Sequence, residues 1–255
     1  MIDERRTPRT ALRPWAIVSA MREELRALVP GLHDAQIVRL GGRDFHVGTL
    51  AGHPVVLVLS GIGKVAAATT ATLLIHEFAA QALVFTGVAG GLGAGVRVGD
   101  VVLARELLQH DMDASPLFPR YEVPLTGRSR FAADKALSDG LKAAAQRCLV
   151  SIRHEAVDTA GARLHEGLVV SGDRFVSSAA EAQALRAALP QALAVEMEGA
   201  ALAQVCADFG RPFAVLRTVS DRADDTAHVD FSRFIAEVAS VYTRAIVEDW
   251  LAALP

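Results

Sequence analysis

Short runs of apolar, often β-branched residues recur along the chain: Trp15 to Ala20, Val55 to Ser60, Ala82 to Thr86, Val101 to Ala104, Leu168 to Ser171, Leu193 to Val195 and Phe213 to Ser220. Runs that are continuous rather than alternating suit strands covered on both faces. Between many of them the spacing turns helical: Glu23 to Val29, stopped by Pro30; Lys64 to Phe78; Phe131 to Leu149; Ala179 to Leu189, stopped by Pro190; Gly199 to Phe209, stopped by Gly210; and a last amphipathic stretch from Phe231 to Leu251. Strands alternating with helices predict an α/β sandwich. Near the start, Ile37 to Leu40, Asp44 to Leu50 and Val55 to Leu59 alternate in polarity and are separated by Gly41-Gly42 and Ala51-Gly52, which predicts an antiparallel meander and so a mixed sheet.

Residues 1–13 are polar, carry Pro8 and show no apolar period, so a mobile tail is expected ahead of a single domain over residues 14–255. Leu117 to Arg130, with Pro116, Pro119 and Pro124, is the one long irregular region and a candidate binding loop or subunit contact. The 255 residues, 51% hydrophobic and 22% charged, suffice for a globular core. A formal charge of -3 offers no general attraction to nucleic acid or anionic lipid, so neither partner is expected. Cys148 and Cys206 have neither the number nor the spacing of a disulfide framework or zinc site. The apolar run at Trp15 is cut short by Arg22, Glu23 and Glu24, too early for a signal peptide, and the expectation is a cytoplasmic chain. The uncharged stretch Phe78 to Val96 holds Gly87, Gly90, Gly91, Gly93 and Gly95 in its second half, so a membrane helix is not expected there.

In open α/β sheets the ligand crevice lies beyond the carboxyl ends of the strands, which directs attention to polar residues directly after apolar runs. Four segments qualify: Met21-Arg22-Glu23-Glu24, Gly87-Val88-Ala89-Gly90-Gly91, Glu196-Met197-Glu198-Gly199 and Ser220-Asp221. Singly, each acid reads as a helix cap or a solvated charge. Jointly they place three carboxylates on one rim, and separated carboxylates in different environments can divide acid and base roles. Asp221, after a long apolar strand, is expected to be the more desolvated and the proton donor. Glu198, just before a helix start, is expected to stay ionised beside its positive end.

Weaker motifs fall away. Gly61-Ile62-Gly63-Lys64 resembles part of a phosphate loop, but Val65 stands where Ser or Thr is needed. Gly91-Leu92-Gly93-Ala94-Gly95 lacks the third glycine of a dinucleotide fingerprint. His110, Asp111 and Asp113 have no second cluster to complete a metal site, and loop hydrogen bonding suits them better. No cofactor or metal is expected.

Six segments taken together are more specific: Ser60-Gly61-Ile62-Gly63-Lys64-Val65-Ala66-Ala67-Ala68, Thr86-Gly87-Val88-Ala89-Gly90-Gly91, Val98-Gly99-Asp100-Val101-Val102, Ser171-Gly172-Asp173-Arg174-Phe175, Val195-Glu196-Met197-Glu198-Gly199 and Ser220-Asp221. In order and spacing, over about Ala16 to Leu251, the chain resembles the nucleoside phosphorylase/nucleosidase superfamily, within it the 5'-methylthioadenosine/S-adenosylhomocysteine nucleosidase family. The resemblance implies a three-layer αβα sandwich around a mixed central β-sheet, a homodimer, and hydrolysis of an adenine thionucleoside to adenine and a thioribose sugar. It implies Asp221 as the acid at the purine N7, held by Ser220, and Glu24 as the base for water, with Arg217 near both. Glu198 would bind the ribose hydroxyls and Met197 pack on the sugar. Gly90, Phe175 and Val176 would line the base pocket, with Phe231 over the purine. Two features depart from the pattern: Val88 replaces a serine common beside the water, and the loop from Asp111 to Arg130 differs from the commonest version.

Three alternatives stay open: a purine nucleoside phosphorylase using phosphate, a nucleosidase for a futalosine-type substrate, and a catalytically silent nucleoside binder. The turn from Thr86 to Gly95 carries no arginine for a phosphate dianion, and Glu24 would repel one. Retention of Glu24, Glu198 and Asp221 together speaks against a silent binder.

Overall fold

The computed structural model describes residues 13–151, 161–223, 234 and 238–255. In chain order its strands are β1 (Trp15–Ser19), β2 (His33–Leu40), β3 (Arg43–Leu50), β4 (His53–Leu59), β5 (Ala82–Gly91), β6 (Val101–Gln109), β7 (Phe131–Ala132), β8 (Leu164–Ser171), β9 (Ala192–Glu196) and β10 (Phe213–Asp221). The helices are α1 (Arg22–Leu28), α2 (Lys64–His76), α3 (Lys135–Ser151), α4 (Ala179–Ala188), α5 (Gly199–Asp208) and, renumbered in sequence, α6 (Ser240–Ala252). The expected tail, apart from Arg13, lies outside the described residues, as does the start of the last expected helix.

Among the described residues the strands form one mixed sheet in the order β10-β6-β8-β9-β5-β1-β4-β3-β2, with β7 beside β6. β2, β3 and β4 are the antiparallel meander expected from the alternating segments. β1 lies parallel between β4 and β5. The far side of the sheet curls, because β10 pairs with β5 as well as with β6, and β9 also returns to β5. Five strands therefore close into a ring beside an open sheet, which gathers the carboxyl ends of β5, β9 and β10 at one mouth.

The period of two along each strand sorts the core into layers. Ala16, Val18, Val56, Val58, Leu83 and Phe85 point to one face, where Ala67 and Leu74 of α2 and Ala203 and Cys206 of α5 cover them. Ile17, Val55, Leu57, Val84 and Leu103 point to the other, under Leu28 of α1, Leu141 and Cys148 of α3, and Ile246 and Trp250 of α6. Each fully buried aliphatic side chain of this kind contributes about 1.5–3 kcal/mol of transfer free energy. The three-layer αβα sandwich is the architecture expected. No described helix is long and apolar enough to cross a membrane.

Several boundaries differ from expectation, β2 and β8 starting four residues early among them, and three bear on the charge and packing of the sheet. Phe131 and Ala132 pair with Leu107 and Glu106 as a short strand rather than opening a helix, and α3 starts after Asp134, whose carboxylate accepts from the Leu137 N–H at 2.9 Å. β6 continues past Ala104 through Arg105 and Glu106, at a bulge against β8, because those charges are paired with Glu166 and Arg130. β5 runs through the glycines to Gly91 instead of ending at Thr86. Those glycines serve close packing rather than a turn: a Cβ on Gly90 would sit 2.9 Å from the Ala223 Cβ and 3.0 Å from Asp221 Oδ1.

Candidate active site

A cavity of about 400 Å³ opens at the mouth formed by these strand ends. Ala20 and Met21 follow β1, Val88, Ala89 and Gly90 end β5, Val195 to Glu198 bridge β9 and α5, and Ser220 and Asp221 end β10. Ile62, Arg174, Phe175 and Val176 complete the wall from two loops. Of the residues picked from sequence, Gly90, Phe175, Val176, Met197, Glu198, Ser220 and Asp221 line it. Glu24 and Arg217 do not: both are fully buried behind the wall, Glu24 beneath Met21. Phe231 lies outside the described residues.

Asp221 is delivered by a register shift between Val219 and Asp221 that sets it opposite Gly90. Ser220 Oγ donates to its Oδ2 at 2.8 Å and the Ala223 N–H to its Oδ1 at 2.7 Å. Ser220 Oγ also reaches the Ala89 carbonyl at 3.4 Å. With its hydrogen turned to that carbonyl, Ser220 can accept a proton-bearing Asp221, so the pair accommodates both protonation states.

Burial does not separate the acids as expected: Glu24, Asp221 and Glu198 are 0%, 3% and 5% exposed. Charge and hydrogen bonding do separate them. Burial pushes Glu24 up to about 7, against the lowering effect of the Arg217 charge and the Met21 N–H, with Glu23 adding to the rise. Its Oε2 accepts from Met21 N at 3.3 Å, while Oε1 has no partner among the described residues. Arg217 Nε is buried without a partner in the same way. The Arg217 charge is felt at Glu24, and each of the two buried groups keeps one hydrogen-bonding atom uncommitted among the described residues.

Glu198 differs from its expectation. Burial and the neighbouring Glu196 push its carboxyl up to about 7, where the helix start was expected to hold it down, and its Oε1 crosses to accept the Gly63 N–H at 2.7 Å. The carboxylate at the helix start is that of Glu196, which accepts the N–H of Gly199 at 2.8 Å and that of Glu198 at 3.1 Å. Ser171 Oγ and Arg217 Nη2, the latter at 2.7 Å, complete its shell. In the sequence nothing distinguishes Glu196 from Glu198 two positions on. The signal was its partner: an arginine inside the apolar run Phe213 to Ser220 needs a buried anion. Arg217 is also held by the Phe85 carbonyl at 3.2 Å and sits 4.2 Å over the Phe85 ring.

In the His110, Asp111 and Asp113 segment, Asp113 makes a local bond, accepting the Ser115 N–H at 3.0 Å, whereas Asp111 pairs with the distant Lys64 at 2.7 Å. Among the described residues no cluster of three or more His, Cys, Asp or Glu is arranged to hold a metal. Cys148 and Cys206 are buried free thiols in α3 and α5, as core residues are.

A family model of the phosphorylase superfamily matches residues 14–252, nearly the whole chain. The chain belongs to this superfamily. Among solved members of the phosphorylase superfamily, it is similar to the 5'-methylthioadenosine/S-adenosylhomocysteine nucleosidase of Neisseria meningitidis in complex with methylthio-immucillin-A. The two are 38% identical, over 95% of this chain and 100% of that one, with a TM-score of 0.86. The nucleosidase of Colwellia psychrerythraea in complex with adenine is 34% identical over 94% and 95% of the two chains, at 0.85. A futalosine hydrolase mutant of Helicobacter pylori is 31% identical over 95% and 100%, at 0.84.

Proposed function

We propose that this chain hydrolyses the N-glycosidic bond of 5'-methylthioadenosine or S-adenosylhomocysteine, releasing adenine and the thioribose sugar. That it is a nucleosidase rests on its likeness over nearly all its length to solved nucleosidases. The observation that carries the mechanism is the pairing of a cavity carboxylate, Asp221, with a second carboxylate, Glu24, buried behind the opposite strand end and open on one oxygen.

Heterolysis of the glycosidic bond leaves the electron pair on the purine and a ribosyl cation behind. Asp221 donates its proton to the purine N7, which makes the base a neutral leaving group. Water, held by Glu24 Oε1 and Arg217 Nε, adds to the anomeric carbon from the other face and gives its proton to Glu24. Glu198 takes the ribose hydroxyls, Met197 packs on the sugar, and Gly90, Phe175 and Val176 line the base pocket. A stacked aromatic ring excludes water at small entropic cost.

Hydrolysis is favoured over phosphorolysis by charge. The cavity wall carries Glu196, Glu198 and Asp221 against one basic side chain, Arg174, which is largely exposed and paired with Glu181. Arg217 is committed to Glu196. A phosphate dianion finds no free fixed cation among the described residues of the wall. The exposed Ile62, Phe175, Leu117 and Leu125 support a homodimer that covers the mouth and the loop beside it.

The test is adenine or base release from methylthioadenosine, S-adenosylhomocysteine, adenosine, inosine and futalosine. The two thionucleosides are expected to turn over fastest. Preference for futalosine would move the chain to the second activity, and binding without turnover of any would make it a silent binder.

A further inference from the structure

The Gly61-Ile62-Gly63-Lys64 turn, which fails as a phosphate loop, has a different occupation. Lys64 Nζ donates to Asp111 Oδ1 at 2.7 Å, the Asp173 N–H donates to Asp111 Oδ2 at 2.9 Å, and the Lys64 N–H donates to Asp173 Oδ1 at 2.7 Å. These bonds close a ring through three segments remote in sequence. Gln109 steadies it by accepting from Lys64 Nζ at 3.2 Å. The Lys64 side chain is only 17% exposed, and against the raising effect of burial its bond and the Asp173 N–H hold the Asp111 carboxyl below its ordinary range.

Two members of the ring adjoin different parts of the cavity, and the third, Asp111, ties them to each other. The residue before Lys64 is Gly63, whose N–H holds Glu198 Oε1 at 2.7 Å. Asp173 is followed directly by Arg174, Phe175 and Val176, all in the cavity wall. Asp111 opens the irregular loop that runs to Arg130. Gly63 has φ +96, and a Cβ there would approach Asp173 Oδ1 to 3.1 Å, so glycine is required both by its backbone and by the ring.

We propose that Lys64, Asp111 and Asp173 are positioning residues that lock the ribose carboxylate Glu198 and the base-side wall at Phe175 into one binding geometry. The proposal rests on the nucleosidase reading above, and it assigns the ring a role in substrate affinity rather than in proton transfer. None of the three side chains lines the cavity, so their effect passes through the backbone of Gly63 and of the Arg174 to Val176 turn. Loosening the ring lets Glu198 and Phe175 sample other positions, and the cost falls on substrate capture.

The test compares Lys64→Met, Asp111→Asn and Lys64→Arg with the native enzyme in steady-state adenine release from methylthioadenosine. Lys64→Met and Asp111→Asn are expected to raise KM about tenfold or more while kcat stays within about threefold. Lys64→Arg, which keeps the cation, is expected to recover most of the affinity. Asp111→Asn is nearly isosteric, so a folded variant is available even if Lys64→Met does not fold, and thermal melting checks each. An unchanged KM in folded Asp111→Asn, or a fall in kcat at constant KM, would overturn the proposal. Absence of adenine release by the native enzyme would instead overturn the nucleosidase reading, so the two failures are separable.

Discussion

The two ends of the central strands each hold a cavity of about 400 Å³, and the likeness stops at volume. At the amino ends of β1, β5 and β10, the walls are Trp15, Ala82, Pro212, the Gly140 face of α3, and Trp250 of α6, with the two indoles edge to face at 5.1 Å. Its ionisable side chains, Asp134 and Arg147, are partly or fully exposed and occupied in capping α3 and pairing with Asp249. At the carboxyl ends the wall holds Glu196, Glu198 and Asp221, all buried. Buried carboxylates cost free energy that a merely packed core avoids, and that cost is tolerated where it does chemistry. Size makes a space; desolvated acids facing it make a site.

The largest effect that would sharpen this contrast is on turnover. Asp221→Asn and Glu24→Gln are each expected to lower kcat for methylthioadenosine by about 10²–10⁴-fold with nucleoside affinity largely kept, read by steady-state kinetics and calorimetry. Full rate in either variant removes that residue from proton transfer. Next, Trp250→Ala is expected to cost about 3–5 kcal/mol of stability in denaturant melts and leave the KM of the surviving folded enzyme unchanged. A raised KM would make the lower cavity part of the catalytic apparatus and break the comparison.

As the proposed base, Glu24 would link stability to turnover. Its pKa of about 7 in the folded chain exceeds the ordinary 4.5, so between those values the folded state keeps a proton that the unfolded chain has released. Its contribution to stability is therefore present at low pH and declines as pH rises through about 7. Glu24→Gln is expected to raise stability by roughly 3 kcal/mol at pH 8 and to change it little at pH 4. With Glu24 as the proposed base, the same ionisation would make it available, so native kcat is expected to climb as pH passes about 7 while stability drops. A variant no more stable at pH 8 would show that the Glu24 carboxylate is better solvated than its burial implies. The smallest effect belongs to the lower end: Asp134→Ala removes the α3 cap and is expected to cost about 1 kcal/mol without altering turnover.

Apolar runs were legible because a strand covered on both faces leaves no polar positions, and β1, β4 and β10 start and stop close to where those runs do. β6 was not, since Arg105 and Glu106 interrupt its pattern and only distant Glu166 and Arg130 neutralise them. The glycines of β5 misled for the opposite reason: they read as a turn, and the partner that requires them, Asp221, lies far along the chain. In the site, acids after strands were visible as a rule of α/β sheets. What sequence could not give was which carboxylate meets which donor. Glu196 and Glu198 are chemically identical, and only the fold assigns one to Arg217 and the other to Gly63.

On the proposed reading, water activated beside Glu24 is the nucleophile. The direct measurement is methylthioadenosine turnover with and without added inorganic phosphate, with adenine followed by chromatography and sugar phosphate by phosphorus NMR. Equal rates and a phosphate-free thioribose are expected in both. A rate that depends on phosphate, with a sugar 1-phosphate formed in step with adenine, would contradict it.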